Sequence, residues 1–189
     1  ASRLLGELDR RGALDNTLVI IAGDHGEQLG ERQRFGHLNS LYLPALHVPL
    51  IMVGPRVPSG AKVAGAVSLR DLPATVVDIL GLSAGAPFPG RSLAGHWTGV
   101  GGADTVFAVL QGGYARQARY PIGAGREMFS LTTAAHHYIK NVDGTEELYD
   151  LSADAGQGPN LAADPSQSDL LGRLRRHLDR ILSETPPPS

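Results

Sequence analysis

The chain of 189 residues contains no cysteine. Disulfides, thiolate metal clusters and a thiol nucleophile are therefore excluded from it, and the redox compartment is left open. It has no run of about 18 consecutive apolar residues, so the sequence holds no helical membrane span. It also lacks a strong charge of either sign. With 17 Lys and Arg against 19 Asp and Glu, the net charge of −2 excludes the distinctly basic character of a nucleic-acid binder. No internal period points to a solenoid. Ala1-Ser2-Arg3 leads straight into a helical pattern without the features of a signal peptide.

What is present centres on Thr17 to His37, TLVIIAGDHGEQLGERQRFGH. Thr17 to Ile21 is a continuous β-branched and apolar run, the pattern of a strand covered on both faces. The chain then turns through Gly23-Asp24-His25-Gly26. Open α/β sheets place their chemistry at that carboxyl end of a strand. Asp24 and His25 are two adjacent candidate metal ligands of different hardness, one oxygen and one nitrogen. Taken alone, Asp-His-Gly after a strand equally describes a turn in which Asp24 accepts local backbone N–H bonds.

The ordered series decides between the two. Asp24-His25-Gly26-Glu27, Leu29-Gly30-Glu31, Phe35-Gly36-His37 and Leu46-His47-Val48-Pro49-Leu50-Ile51 together resemble the sulfatase family of the alkaline-phosphatase-like superfamily. So do Val67 to Thr75 with Gly90-Arg91-Ser92-Leu93, and Leu148-Tyr149-Asp150-Leu151 with Asn160-Leu161-Ala162. The resemblance implies an α/β fold: part of an alkaline-phosphatase-like sandwich, mainly a parallel sheet flanked by helices, followed by a small antiparallel sheet and a C-terminal helix. Residues 1–100 are read as the carboxyl-terminal part of that core, carrying half of a metal site. Residues 101–189 are read as a small C-terminal subdomain, with the glycine-rich Gly99 to Asp104 as the junction.

Local patterns fill in the elements. Leu4, Leu5 and Leu8 share one helical face, and Gly12 is a plausible C-cap. Pro44 is expected to break Leu41 to Leu46, and Pro49 to Val53 reads as a second buried strand. Ser68 or Asp71 is expected to cap a helix carrying Val76, Val77, Ile79 and Leu80 inward, ended by Gly81. Strands are expected at Thr105–Leu110, Met128–Thr133, His137–Val142 and Glu147–Leu151, with Asp143-Gly144 as a hairpin turn. Leu170, Leu171, Leu174, Leu178 and Ile181 form the stripe of a final helix. His136 and His137 are placed on an edge of the small sheet.

For the site, the resemblance implies that Asp24 and His25 are half of a divalent-metal shell. Calcium is the expectation on family grounds. Many sulfatases carry Asp-Asn here, an all-oxygen arrangement suited to calcium. Asp-His occurs in some sulfatases and is also like phosphonate and phosphodiester hydrolases and phosphoglycerol transferases, and imidazole suits manganese or zinc better than calcium. His37 stands where relatives have a lysine or histidine near the leaving group, and it could donate a proton to the departing oxygen. Glu27 and Glu31 are read as solvated carboxylates or as support for the ligands. No Cys/Ser-x-Pro-x-Arg stretch occurs, so the formylglycine of sulfatases is expected in a missing N-terminal half of the same enzyme.

The segment alone is therefore expected to be inactive, and its parent to be a sulfuric ester hydrolase. Phosphodiester or phosphonate hydrolases, phosphoglycerol transferases of the same superfamily, and a non-catalytic domain on that scaffold are the alternatives. The expected partners are a sulfate or phosphate ester and the missing half. A homo-oligomer is a further alternative, since apolar strand edges invite association. Periplasmic or extracellular placement is common in the family, but the sequence assigns no compartment.

Overall fold

A computed structural model of the chain describes residues 2–37, 40–82, 88–99, 105–111 and 127–184. In chain order the elements are α1 (Ser2–Arg10), β1 (Val19–Ala22), β2 (Gln28–Leu29), β3 (Phe35–Gly36), α2 (Leu43–Leu46) and β4 (Leu50–Val53). They continue with α3 (Leu72–Leu80), α4 (Gly95–Thr98), β5 (Val106–Leu110), β6 (Met128–Thr132), β7 (His136–Asn141), β8 (Glu146–Asp150) and α5 (Ser168–Glu184). The chain divides into two compact units. One is Ala1–Asp24 with Val48–Gly102, the other His25–His47 with Ala103–Ser189. Residues 25–47 therefore cluster with the later part of the chain. Of the expected junction, Gly99 to Asp104, residues 100–104 lie outside the described residues. No helix among the described residues is long and apolar enough to cross a membrane.

In the first unit β1 and β4 pair antiparallel, with Ile21 opposite Ile51 and Val19 opposite Val53. The expectation of two fully buried strands is corrected. Ile21, Ile51 and Val53 are 39%, 53% and 60% exposed, so one apolar face of this ribbon is open. The residue types permit cover on both faces, but each strand of the described ribbon has only the other as its neighbour. Each described ladder is antiparallel, and the mixed α/β class rests on the helices α1, α3 and α5 occurring in one chain with short ribbons and a four-stranded sheet.

The 3₁₀ turn Leu69–Asp71 that leads into α3 follows the expected capping chemistry. Ser68 Oγ accepts from the Arg70 N–H at 3.2 Å, and Asp71 Oδ2 accepts from the Ser68 N–H at 3.3 Å, a reciprocal capping box. Asp71 Oδ1 also accepts from the Arg91 N–H at 3.0 Å, tying the 88–93 segment to the helix start. Thr75, fully buried, donates to the Asp71 carbonyl and accepts from the Leu93 N–H. Asp71→Ala removes two backbone partners at once. It is expected to cost about 1–2 kcal/mol in a urea titration. A midpoint unchanged from the parent's would refute the double anchoring.

The second unit is built on the sheet β5-β6-β7-β8, antiparallel throughout. Alternation along β7 separates two cores. Tyr138 joins Leu131 and Leu148 under the stripe Leu171, Leu174 and Leu178 of α5. Ile139 faces the other way and packs with Leu110, Met128, Tyr149, Leu41 and Tyr42. Glu146 accepts a two-pronged bond from the Arg175 guanidinium, which holds its carboxyl below the usual range, and it also accepts from the Tyr138 hydroxyl at 2.5 Å. Asn160 Oδ1 accepts from the Leu148 N–H at 2.9 Å and closes the outer side of β8.

Two local expectations are corrected. Pro44 does not break its segment; it lies in the first turn of α2, where the absent N–H costs nothing. His136 and His137 are not on an edge: β7 is an interior strand and His137 is fully buried. Residues 186–188, three prolines that the sequence pattern reads as a solvated tail, lie outside the described residues.

Candidate active site

The second unit carries the imidazoles on a small hairpin and fixes that hairpin to the sheet. β2 and β3 pair with Gln28 opposite Gly36 and Leu29 opposite Phe35. Alternation sends Gln28 inward, where it is 1% exposed and its Oε1 accepts from Ser40 Oγ at 3.0 Å. Glu27 is consequently turned outward. One step beyond the ladder it stands opposite His37. The positive φ of Gly36, 84°, sets the chain's exit from β3 into His37.

At the far end of the hairpin Arg32 has a left-handed backbone, φ 54°, that a side-chain-bearing residue rarely adopts. Its surroundings over-determine that conformation. The guanidinium lies over the rings of Tyr42 and Tyr149, 4.4 and 4.8 Å from their centroids, and donates to the Gln157 carbonyl. Tyr42 donates to Glu147 Oε2 at 2.9 Å, and its hydroxyl is pushed above its ordinary pKa, first by burial and then by the Glu147 charge.

Gln157 secures the same loop from below. It is 2% exposed, and its Oε1 accepts from the Leu43 N–H at 2.8 Å. Its amide nitrogen is therefore the end that meets His137 Nδ1, at 2.7 Å. An amide N–H donates there, so His137 Nδ1 carries the lone pair and the ring is neutral with its proton on Nε2. That Nε2 is buried and has no hydrogen-bond partner among the described residues. Burial, and secondarily the Arg32 charge, push the His137 pKa down to about 4.

Of the residues read as a site from sequence, the hairpin brings His25 and His37 together. Their rings stack with centroids 3.9 Å apart and an interplanar angle of 28°. His25 Nδ1 lies 2.9 Å from the Gly26 carbonyl. A carbonyl only accepts, so Nδ1 carries the hydrogen and the ring's lone pair is on Nε2. His37 Nδ1 lies 2.7 Å from Glu27 Oε2. Ligand atoms of His25, Glu27 and His37 all fall within 4.8 Å of one another, a two-imidazole, one-carboxylate set. Asp24 is exposed and ends the first unit's initial segment, directly after Gly23, whose N–H donates to the Pro49 carbonyl at 3.2 Å. His47 is exposed at the end of α2.

Sequence reasoning missed the pairing of Glu27 with His37. Counting outward from the hairpin turn would have found it, since Gln28 opposite Gly36 puts Glu27 opposite His37.

Against this geometry stand the known proteins. The sulfatase family model matches residues 2–82. Arylsulfatase K of Rattus norvegicus is 31% identical over 168 residues, an alignment covering 85% of this chain and 30% of that protein. A solved 2-O GAG sulfatase superposes with a TM-score of 0.80 at 26% identity, covering 96% of this chain and 39% of that one. A phosphonate monoester hydrolase from Silicibacter pomeroyi gives a TM-score of 0.76 at 27% identity, covering 97% and 38%. The fold is that of the alkaline-phosphatase-like enzymes. Within that fold residues 2–82 match the sulfatase family, and the chain spans about a third of the length of the curated relatives it matches.

Proposed function

We propose that this segment works within a larger metal-dependent hydrolase of sulfuric esters, to which it contributes Asp24 and His25 as ligands of a divalent cation and His37 as proton donor to the leaving oxygen. Hydrolysis of an anionic ester builds negative charge on the departing oxygen, and a bound cation supplies opposing charge at such a centre. Asp24 offers a hard oxygen. His25 offers Nε2, the nitrogen left as ligand by the Nδ1 bond to Gly26. Calcium is the ion the family resemblance implies, and the imidazole widens the choice to manganese or zinc. No cysteine and no Cys/Ser-x-Pro-x-Arg stretch occurs in the 189 residues, so the nucleophile is assigned to another part of the protein.

The observation that carries the reading is the hydrogen-bonded, stacked His37 next to His25. A proton donor needs a fixed ring and access to the reacting oxygen. His37 has the first through Glu27, and its side chain is 38% exposed. In the complete enzyme, His37→Ala is expected to lower kcat about a hundredfold or more on aryl sulfates with poor leaving groups. p-Nitrophenyl sulfate, whose phenolate departs unaided, should lose far less. Equal losses on both substrates would remove His37 from the proton-donor role.

A second reading keeps the scaffold and changes the ester. The likeness to the phosphonate monoester hydrolase, together with Asp-His in place of Asp-Asn, favours a phosphonate or phosphodiester substrate. The same comparison of leaving groups on aryl phosphonates tests it.

A further inference from the structure

We infer that Glu27 is a positioning residue for His37: its carboxylate locks the imidazole in one orientation and one tautomer, and so prepares the other ring nitrogen for proton transfer. The inference rests on His37 being the proton donor, and it gives Glu27 a specific task where the sequence offers only a solvated carboxylate or support for the ligands.

The hairpin register carries the first part of the argument. Glu27 faces His37 across the end of a two-residue ladder whose inward neighbour, Gln28, is buried and bonded to Ser40. The position of Glu27 is thus set by backbone pairing and by an anchored neighbour. A freely swinging surface carboxylate would have neither.

The chemistry of the contact carries the second part. Glu27 Oε2 lies 2.7 Å from His37 Nδ1. A carboxylate accepts, so Nδ1 keeps its hydrogen, and the exchangeable site is Nε2. The stacked His25 ring, 3.9 Å away between centroids, blocks rotation of the imidazole out of plane. The two side chains of the pair are 38% and 46% exposed. A contact so accessible adds little to stability, so geometric control of the ring is the effect that remains. A carboxylate orienting a working imidazole through Nδ1 is the logic of hydrolytic triads, here with the histidine acting as acid.

The test has two arms. In the 189-residue chain, long-range proton–nitrogen NMR correlations at about pH 8, where an ordinary imidazole is neutral, report the tautomer. His37 should hold its hydrogen on Nδ1 in the parent and in Glu27→Gln, whose Oε1 still accepts. Glu27→Ala should give a tautomer mixture. In the complete enzyme, Glu27→Ala should lower kcat about 10- to 100-fold on poor-leaving-group aryl sulfates, leave KM and p-nitrophenyl sulfate turnover nearly unchanged, and be largely rescued by Glu27→Gln. Glu27→Ala combined with His37→Ala should be no slower than His37→Ala alone.

A single Nδ1–H tautomer in Glu27→Ala, additive losses in the double variant, or equal losses on all leaving groups would each overturn the inference. So would a Glu27→Ala variant whose main defect, by calorimetric titration with calcium, manganese or zinc, is weaker ion binding, since Glu27 would then be a ligand. If His37→Ala itself shows no leaving-group selectivity, the proton-donor reading fails. The NMR arm still decides whether Glu27 holds the ring.

Discussion

Gly26→Ala is expected to lower the unfolding free energy of the chain by about 3 kcal/mol and to release the hairpin that carries the two imidazoles. A Cβ at residue 26 would lie 2.0 Å from the Pro44 carbonyl oxygen, 3.0 Å from its carbon and 3.2 Å from the Ala45 carbonyl carbon. These are backbone atoms of α2, held by the helix itself, so no side chain can move aside to make room. The close approach is also a bonded one, because the Gly26 N–H donates to the Ala45 carbonyl at 2.9 Å. Relief requires that the turn lift off α2, breaking this bond and carrying His25 and Glu27 with it. Overpacking of this kind costs about 1–3 kcal/mol and more where backbone must shift.

Gly6→Ala is the control. A Cβ there meets nothing within 4 Å, and alanine in a helix interior is about 0.5–1 kcal/mol better than glycine. Urea midpoints of the two variants should therefore move in opposite directions. A Gly26→Ala chain within about 0.5 kcal/mol of the parent would show that the turn is not packed as described.

The same position shows what could and could not be read from sequence. The glycines around Asp24-His25 indicated a tight turn, and the spacing to Phe35-Gly36-His37 indicated a second imidazole at the site. Neither pattern says that Gly26 rests on α2, because that contact joins residues about twenty apart through a helix of four residues. Strong local signals transferred well. The α5 stripe, the Ser68 cap, the left-handed Gly81 and the Asp143-Gly144 hairpin all depend on neighbours in sequence.

What failed depended on long-range partners. Thr17 to Ile21 has the residue types of a doubly covered strand, but cover is a property of the neighbours a strand has, and Ile21 is 39% exposed. Edge or interior status of β7 is likewise a fact of sheet order, invisible in His136 and His137 themselves. Gln157 gives no sequence signal at all. It is a polar residue at φ 60° in a loop, and its role emerges only when Leu43, Arg32 and His137 converge on it.

That convergence sets the largest expected pH effect. His137 is fully buried, accepts from Gln157 and has its pKa pushed down to about 4, chiefly by burial and then by the Arg32 charge. The unfolded histidine titrates near 6.5. Between these values the unfolded chain binds a proton that the folded chain refuses, so stability rises with pH across the interval. The contribution is complete above about pH 6.5, falls as the pH drops, and is gone below about 4; its full span is about 3 kcal/mol.

Protonation would also end the Nδ1 acceptor role, so the contact that steadies Gln157, the partner of Leu43 and Arg32, is lost in the same step. Carboxylates act lower on the scale. Glu146, held down by Arg175, loses its contribution only as the pH falls below the usual carboxylate range. Urea titrations at pH 7 and pH 5 therefore isolate the histidine, with an expected loss of about 2 kcal/mol in the parent. His137→Gln removes the titrating group. Its own cost to packing appears at both pH values and cancels in the difference, which should shrink to a small fraction of the parent's. A variant that keeps the whole pH 7 to pH 5 loss would place the acid sensitivity elsewhere than in His137.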